Sequence, residues 1–391
     1  MSKKSKNTKI IAMAMLMGLF AFGSSGHVQA AVTAKSLAEV SHMKQSAISE
    51  LKNDSRVFNI DSKITVKKVS FQNRYGFDVA GHLYLPQNFD KKGSYKAVVV
   101  SGPFGAVKEQ ASGLYAQELA KNGFVALAFD QSMTGESSGV RRNMGSPEIF
   151  TEDYSAAVDF VSLLDFVNPE QIGAVGICGL SGMAITAASN DTRIKAVVTS
   201  AMYDMSESIS DHYKGAYYTP QQREAVKKYL AQMRLEEARK GGEISGAHEI
   251  AVDENGKVQT FSTMFPDKLP QDAPAVIQEF YNYYVGRAYH PRAINSNTLA
   301  WDATTPYGFF NFSLMENIKE LSPRPLLMIT GDKAHSKYFT DDVYDKAAEP
   351  KEKIVVEGAT HTDFYDQMDK IPFAKIAEFF NKNLHLYCAL N

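Results

Sequence analysis

The sequence predicts an α/β fold: a doubly wound, mostly parallel sheet with a helical cap insertion. Six short apolar runs alternate with segments of helical periodicity, the pattern of a parallel sheet covered by helices on both faces. Polar residues directly follow several of these runs, and a long aromatic-rich stretch at residues 205–321 interrupts the alternation. A chain of 391 residues with 44% hydrophobic residues and a net charge of −2 is long enough to bury such a core.

The first 30 residues have the three parts of a secretory signal peptide. Four lysines precede an apolar run at residues 10–22, and small residues follow up to Ala30. An apolar run of about 13 residues is too short to span a bilayer, so we expect cleavage after Ala30 and no membrane insertion afterwards. The protein is therefore predicted to be periplasmic or secreted.

The elements before the parallel sheet are read from their periodicity. Apolar residues recur at helical spacing over residues 34–54 and predict an amphipathic helix. Residues 64–69 and 77–85 alternate between apolar and polar, which predicts a pair of antiparallel strands.

The six apolar runs are predicted to be parallel strands. They lie at residues 97–100, 124–129, 172–177, 194–199, 325–330 and 353–356. Predicted helices lie between Gly105 and Gly123, over residues 154–164 and 182–188, and over residues 373–384. This places two parts of one core at residues 31–204 and 322–391.

The remaining segment, residues 205–321, is predicted to be a cap. It enters where it would lie above the carboxyl ends of the strands, the place where doubly wound sheets bind ligands. Its aromatic residues could form its own core or face a substrate. A cap lined by aromatic rings would favour medium-chain or aryl acyl groups over acetyl.

The turn after the third of the six runs carries the candidate nucleophile. The strand ends in Gly-x-Cys, and a run of small residues with helical character follows. A sharp strand-to-helix turn exposes the side chain of Cys178 beside the positive end of a helix. Two residues later Leu180 stands where such turns usually have glycine. Ser181 is an alternative nucleophile, but the register of the strand favours Cys178 and gives Ser181 the role of a helix cap.

Further polar groups follow other strands in the order that a nucleophile–acid–base triad requires. Asp332 follows the fifth run and His361 follows the sixth. His361 is predicted to take the thiol proton or to form an ion pair with the thiolate, and Asp332 to orient His361. The backbone N–H groups of Gly179 and Phe104 are predicted to form the oxyanion hole, because Pro103 has no N–H. Gly105 is the alternative to Phe104.

Other polar residues are assigned simpler roles. Lys108 and Glu109 are predicted to be solvated surface, and Asp130 to anchor a loop through hydrogen bonds. His335 could line the site or lie on the surface. The sequence shows no metal-ligand spacing and no phosphate-binding or dinucleotide-binding glycine loop, so no metal or cofactor is predicted. The near-neutral charge argues against nucleic acid as a partner, and Cys388 is too close to the terminus to be an expected disulfide partner of Cys178.

Together these motifs resemble the dienelactone-hydrolase-like branch of the α/β-hydrolase superfamily, in which Cys replaces Ser as the nucleophile. Within it, the chain is similar to a group of bacterial hydrolases and fungal polyketide transferases. The motifs are GPFGAVKE at 102–109, FDQSMTGES at 129–137, GICG at 176–179, GDKAHS at 331–336 and HTDFYD at 361–366. The resemblance covers about residues 64–384 and implies an α/β-hydrolase fold with a Cys–His–Asp triad.

The expected activity is hydrolysis of a small-molecule ester, lactone or thioester through an acyl-enzyme. Acyl transfer to another acceptor would use the same triad. A non-catalytic binding protein on a hydrolase fold is the alternative of another class, which Leu180 favours and the pair of Asp332 and His361 disfavours. The oligomeric state is left open.

Overall fold

A nine-stranded sheet forms the centre of the computed structural model, which describes residues 46–260 and 262–384. The strands are β1 (Ala47–Glu50), β2 (Thr65–Gln72), β3 (Asp78–Leu85), β4 (Tyr95–Ser101), β5 (Val125–Phe129), β6 (Val167–Ile177), β7 (Ile194–Ser200), β8 (Ser245–Gly246), β9 (Trp301–Asp302), β10 (Leu326–Gly331) and β11 (Lys351–Val356). The short strands β8 and β9 pair with each other outside the main sheet.

Helices cover the sheet and build the segment between β7 and β10. They are α1 (Ala111–Lys121), α2 (Pro147–Ser162), α3 (Leu180–Asn190), α4 (Met205–Asp211), α5 (Pro220–Lys240), α6 (Ala275–Tyr281), α7 (Pro306–Phe309), α8 (Lys337–Lys346), α9 (Asp363–Asp366) and α10 (Phe373–Asn383). A π-helix at Asn282–Arg287 continues α6, and a 3₁₀-helix at Ile318–Leu321 precedes β10.

The order of the strands in the sheet is β1-β2-β3-β5-β4-β6-β7-β10-β11. The last six strands in this order are parallel to one another, whereas β1, β2 and β3 pair antiparallel at one edge. All residues of β5 and β10 are buried, as expected for strands with helices on both faces. The predicted mostly parallel α/β sheet is confirmed, and so are its six parallel strands.

The beginning of the described chain differs from the prediction. Within the helix predicted over residues 34–54, Ala47–Glu50 forms β1 and pairs antiparallel with β2. All four residues of β1 are exposed, so the helical spacing of apolar residues there marks no buried face. The backbone instead pairs with the N–H and C=O groups along the edge of β2. Residues 34–45 and the predicted signal peptide at residues 1–30 lie outside the described residues.

The segment at residues 205–321 packs mainly on the core it is joined to. Trp301, Tyr283 and Phe309 are almost completely buried in the main hydrophobic core, while a separate small core contains Val226, Leu230 and Ile250. One compact unit includes this segment and both parts of the sheet. The boundaries at 204/205 and 321/322 therefore stay a prediction. Within the described ranges, no helix combines the length and apolar character needed to cross a membrane.

Candidate active site

Cys178 lies on the sharp turn between β6 and α3. Its φ of +54° is in the left-handed region, which holds the side chain out of line with the strand. Gly176 permits the turn, because a Cβ there would lie 2.5 Å from the Cα of Ser181. Leu180 begins α3 and is 1% exposed, so its side chain packs into the core. The substitution of leucine for the usual glycine is thus accommodated without displacing Cys178 from the turn.

Ser181 points away from the position of a nucleophile. Its hydroxyl donates to the carbonyl oxygen of Gly176 at 2.9 Å, and the residue is completely buried. It is not the helix cap either, since Gly179 occupies the N-cap position of α3. Both roles considered for Ser181 therefore lack the contacts they need, because the hydroxyl is used to brace the strand–helix turn.

The thiol of Cys178 faces one hydroxyl group and two backbone N–H groups. Burial raises the pKa of the thiol to about 11, and the Tyr365 hydroxyl and the backbone N–H groups of Gly179 and Phe104 oppose that rise. The structure therefore brings the two amides predicted for the oxyanion hole to Cys178. Backbone N–H groups beside an attacking sulfur are the kind that stabilise negative charge on a bound carbonyl oxygen.

His361 is connected to the thiol through Tyr365. The Nε2 atom of His361 lies 2.8 Å from the hydroxyl of Tyr365, and its Nδ1 atom lies 2.6 Å from the Oγ of Ser336. A neutral His361 with its proton on Nδ1 satisfies both contacts, since Nδ1–H donates to Ser336 and Nε2 accepts from Tyr365. In that arrangement the Tyr365 hydroxyl donates its proton to Nε2 in a hydrogen bond, and its oxygen is left to accept from the thiol of Cys178, with which Tyr365 interacts.

Asp332 does not make the contact predicted for it. Its Oδ1 atom accepts the backbone N–H of Gly358 at 2.6 Å, and its other oxygen lies 3.7 Å from the ammonium of Lys333. The carboxylate holds the turn after β11, where Gly358 has a φ of +68°. Ser336, just before α8, occupies the place at Nδ1 that a triad gives to the acid. The prediction that Asp332 orients His361 is corrected accordingly.

Cys178 and His361 are both held in their neutral forms. Burial lowers the pKa of His361 well below its ordinary value, and the neighbouring His335 lowers it further. The raised pKa of Cys178 acts in the same direction. An imidazole and a thiol, rather than an imidazolium–thiolate pair, are therefore the resting species near pH 7.

Sequence reasoning missed two residues of this site. Tyr365 and Ser336 both lie in motifs that carry the family resemblance, HTDFYD and GDKAHS. His361 lies just before the short helix α9, and Tyr365 lies within that helix four residues later. This spacing can bring two side chains together. Both residues therefore lie in recognisable motifs, but a triad pattern favours the carboxylate of Asp332 over the hydroxyl of Ser336.

His335 lies against the site rather than at the surface. Its ring centroid is 5.0 Å from that of His361, and its Nδ1 atom is 3.4 Å from Glu279. Its Nε2 atom is hydrogen-bonded to the hydroxyl of Tyr203. His335 therefore packs beside His361 and forms part of its surroundings.

A cavity of about 190 Å³ opens over Cys178. Its lining residues come mostly from the segment 205–321: Phe104, Cys178, Tyr203, Met205, Tyr213, His248, Glu249, Met264, Phe265, Val276, Ile277, Phe280, Tyr284, Asn295 and Tyr365. Most of these side chains are apolar or aromatic. The volume lies below the ~300–1,000 Å³ of pockets that enclose drug-sized ligands, so the cavity suits a small group.

A buried ionic cluster lies behind the loop that carries Phe104. The ammonium of Lys108 contacts Glu109 at 2.8 Å, Asp130 at 3.0 Å and Glu136 at 2.8 Å, and Lys108 has no exposed surface. Asp130 also accepts the backbone N–H of Lys108 at 2.7 Å, as predicted for a loop anchor. The prediction of a solvated Lys108 and Glu109 is wrong, because three carboxylates converge on the ammonium and let it be buried.

The same cluster includes three groups of metal-ligand type. Atoms of His82, Glu109 and Glu136 lie within 4.8 Å of one another. The Glu109 oxygen that faces Lys108 is also 2.9 Å from Arg292. Because these cations already neutralise the carboxylates, the donor set fits a metal ion poorly.

Comparison with known proteins places this chain in a family. The sequence model described as X-Pro dipeptidyl-peptidase (S15 family) matches residues 76–276. Protein PA2218 of Pseudomonas aeruginosa is 47% identical over 334 residues, which is 84% of each chain. Its crystal structure superposes with a TM-score of 0.78 and covers 88% of this chain and 99% of that one.

Two further relatives extend the comparison. Protein YcjY of Escherichia coli is 32% identical over 325 residues, covering 81% of this chain and 99% of the relative. Thiohydrolase aneE of Aspergillus aculeatus is 34% identical over 135 residues, 34% of this chain and 41% of its own. The match to a fungal thiohydrolase agrees with the predicted similarity to fungal enzymes, and the predicted superfamily is confirmed. The chain belongs to the S15 family of X-Pro dipeptidyl-peptidase-like proteins, within the α/β-hydrolase superfamily.

Proposed function

We propose that this protein is an exported hydrolase that cleaves an ester, lactone or thioester by attack of Cys178. The observation that carries the proposal is the hydrogen-bonded chain from Cys178 through Tyr365 to His361 beneath an enclosing cavity. Family membership supports a hydrolase, and the name of the fungal thiohydrolase supports acyl chemistry at sulfur. The signal peptide predicted at residues 1–30 supports export.

The hydrogen-bonded groups of Cys178, Tyr365 and His361 provide a route for the proton as the acyl-enzyme forms. The thiol proton passes to the oxygen of Tyr365 while the hydroxyl proton of Tyr365 passes to Nε2 of His361. The sulfur bonds to the substrate carbonyl carbon, and the carbonyl oxygen takes up the negative charge between the N–H groups of Gly179 and Phe104. The leaving oxygen or sulfur departs with the proton returned along the same route. Water then attacks the acyl-enzyme carbonyl and gives a proton to His361 by the same route. The C–S bond breaks, the proton returns to the sulfur of Cys178, and the acid is released.

Ser336 in place of an acid suits a cysteine nucleophile. A serine hydroxyl can accept from Nδ1–H in the tautomer that leaves Nε2 free to take a proton, but it supplies no negative charge to stabilise an imidazolium. A thiol is more acidic than an alcohol and requires less help from its base. Asp332 is left out of the mechanism because its carboxylate is hydrogen-bonded to the turn after β11.

The volume of the cavity revises the expected acyl preference. Aromatic residues do line it, but about 190 Å³ suits a short acyl chain better than the medium-chain or aryl group predicted from the aromatic content. We therefore propose acetyl to butanoyl groups as the favoured size. Acyl transfer to another acceptor uses the same residues, and a binding protein without catalysis would not require the chain to His361.

The test is hydrolysis of acetyl, butanoyl and hexanoyl nitrophenyl esters by wild type, Cys178→Ala and Ser181→Ala. We expect wild type and Ser181→Ala to cleave the shorter esters, and Cys178→Ala to lose on the order of 10³-fold or more. Alanyl-prolyl nitroanilide tests the activity in the family's description. Full ester hydrolysis by Cys178→Ala would contradict the proposal, and cleavage of the anilide alone would replace it with peptidase activity.

A further inference from the structure

Glu249 is the one acidic side chain in the lining of the cavity over Cys178, and no lysine or arginine is among the described residues of that lining. Its Oε2 atom accepts the hydroxyl of Tyr213 at 2.9 Å, and its Oε1 atom accepts the hydroxyl of Ser208. Both partners are neutral. In the described ranges its one basic neighbour within 4 Å is His248, whose Nε2 atom is 3.9 Å away.

His248 does not neutralise this carboxylate. Burial lowers the pKa of His248, with Glu249 opposing the shift, so the imidazole is uncharged near pH 7. Its buried Nδ1 atom has no hydrogen-bond partner among the described residues. The cavity therefore presents a carboxylate with hydroxyl partners and an unused ring nitrogen.

A carboxylate in such surroundings is stabilised further when an opposite charge lies close to it. Charges removed from water are ordinarily paired, and the apolar side chains of Val276, Ile277 and Phe280 on the same cavity provide no pairing. Glu249 lines both this cavity and an adjoining cavity of about 580 Å³, and its side chain is 19% exposed. A group that enters to react with Cys178 can supply the missing charge.

We propose that the cavity selects acyl groups that carry an ammonium, paired with Glu249, and rejects acyl groups that carry a carboxylate. This inference rests on the proposed attack of Cys178 on an acyl carbonyl. The methylenes of the acyl chain contact the apolar lining, while the ammonium donates to Glu249. Tyr213 and Phe280 also offer aromatic faces, which attract a cation.

Glu249 also couples binding to the nucleophile. Burial is the main cause of the raised pKa of Cys178, and the charge of Glu249 raises it further. An ammonium at Glu249 offsets that charge and makes thiolate formation easier. The preference should therefore appear in kcat as well as in KM, which uniform binding alone would not produce.

The experiment compares nitrophenyl esters matched in size. Glycyl and 3-aminopropanoyl esters are measured against propanoyl, butanoyl and malonyl esters, with wild type, Glu249→Gln and the control Glu254→Gln in an exposed turn. We expect wild type and the control to prefer an aminoacyl ester over its neutral match by about tenfold or more, the size of a charged hydrogen bond. In Glu249→Gln the preference should fall to about twofold or less, and malonyl hydrolysis should rise.

A binding measurement decides the inference without catalysis or the variant. Protection of wild-type Cys178 from iodoacetamide is compared for 3-aminopropanamide and butanamide, and we expect stronger protection by the amine. Equal protection would overturn the inference, and so would equal hydrolysis of the matched esters with activity intact. If no ester is cleaved but the amine protects, the proposed hydrolysis fails while the charge selectivity of the cavity stands.

Discussion

Two buried clusters of titratable side chains lie next to the segment that carries Phe104 and Lys108, and they are kept in opposite charge states. At Cys178, Tyr365 and His361, burial without a counter-charge raises the pKa of the thiol and lowers that of the imidazole, so both are neutral. At Lys108, burial also lowers the pKa, but Asp130, Glu109 and Glu136 outweigh it and the ammonium stays charged.

In the proposed mechanism the neutral cluster transfers a proton, whereas the ionic cluster positions the backbone. A chain of neutral hydrogen-bonded groups can pass a proton with little rearrangement of charge. A closed ionic cluster resists any change of protonation, and it fixes the backbone through the bond from Lys108 N–H to Asp130. In the proposed mechanism both clusters serve the same chemistry, since one contains Cys178 and the other holds the loop that provides Phe104.

The largest effect on turnover is expected from His361→Ala. The variant removes the proton acceptor at the end of the neutral chain, and kcat on a nitrophenyl ester should fall by about 10³-fold. Ser181→Ala, which alters a hydroxyl outside the chain, is the control. A loss of less than tenfold in kcat in His361→Ala would show that His361 is not the catalytic base.

The ionic cluster should respond in stability. Lys108→Met leaves buried carboxylates without their cation and should lower the free energy of unfolding by roughly 3–5 kcal/mol, measured by urea denaturation. The control is Lys121→Met, which removes a partly exposed lysine paired with Glu118. Equal free energies of unfolding for the two variants would mean that charge pairing in the cluster does not stabilise the protein.

Tyr365→Phe tests the middle of the neutral chain. Loss of the hydroxyl interrupts the route from thiol to imidazole and should lower kcat by about 10²-fold. The pKa of about 11 for Cys178 predicts that iodoacetamide labelling rises as the pH approaches that value, and the variant should shift this rise to higher pH. The control is Tyr307→Phe, at a tyrosine that is 44% exposed. An unchanged dependence of labelling on pH in Tyr365→Phe would contradict the proposed contact between Tyr365 and the thiol.

The smallest effect is expected at Asp332. Asp332→Asn keeps a side chain that can accept the Gly358 N–H, so kcat should fall by less than about threefold, whereas Ser336→Ala should lose about tenfold with its hydrogen bond to His361. The two variants are compared on one ester at saturating substrate. A greater loss in Asp332→Asn than in Ser336→Ala would restore the triad predicted from the sequence.

The sequence predicts most of the sheet because its strands are buried on both faces. Runs such as 97–100 and 124–129 contain only apolar residues, which leaves few alternatives to a central strand. The nucleophile turn is predictable for a local reason, since Gly176 and Cys178 define it within a few residues. The helix predicted over residues 34–54 fails at Ala47–Glu50 because periodicity does not reveal whether a surface is present to bury the apolar face.

The side-chain partners of the site depend on distances that sequence order does not give. Asp332 and Ser336 both follow β10 within a few residues, and either could reach His361. The turn at Gly358 takes up the carboxylate, and the hydroxyl is left for Nδ1. Lys108 likewise reads as a surface residue until the fold brings Asp130 and Glu136 to it.

The acyl-enzyme tests the central claim most directly. Wild-type protein mixed with butanoyl nitrophenyl ester is quenched in acid within the first turnovers, digested and analysed by mass spectrometry. The neutral-chain mechanism predicts one butanoyl group on Cys178, removable by hydroxylamine, and no such group in Cys178→Ala. A butanoyl group on Ser181, or steady turnover without acylated Cys178, would contradict it.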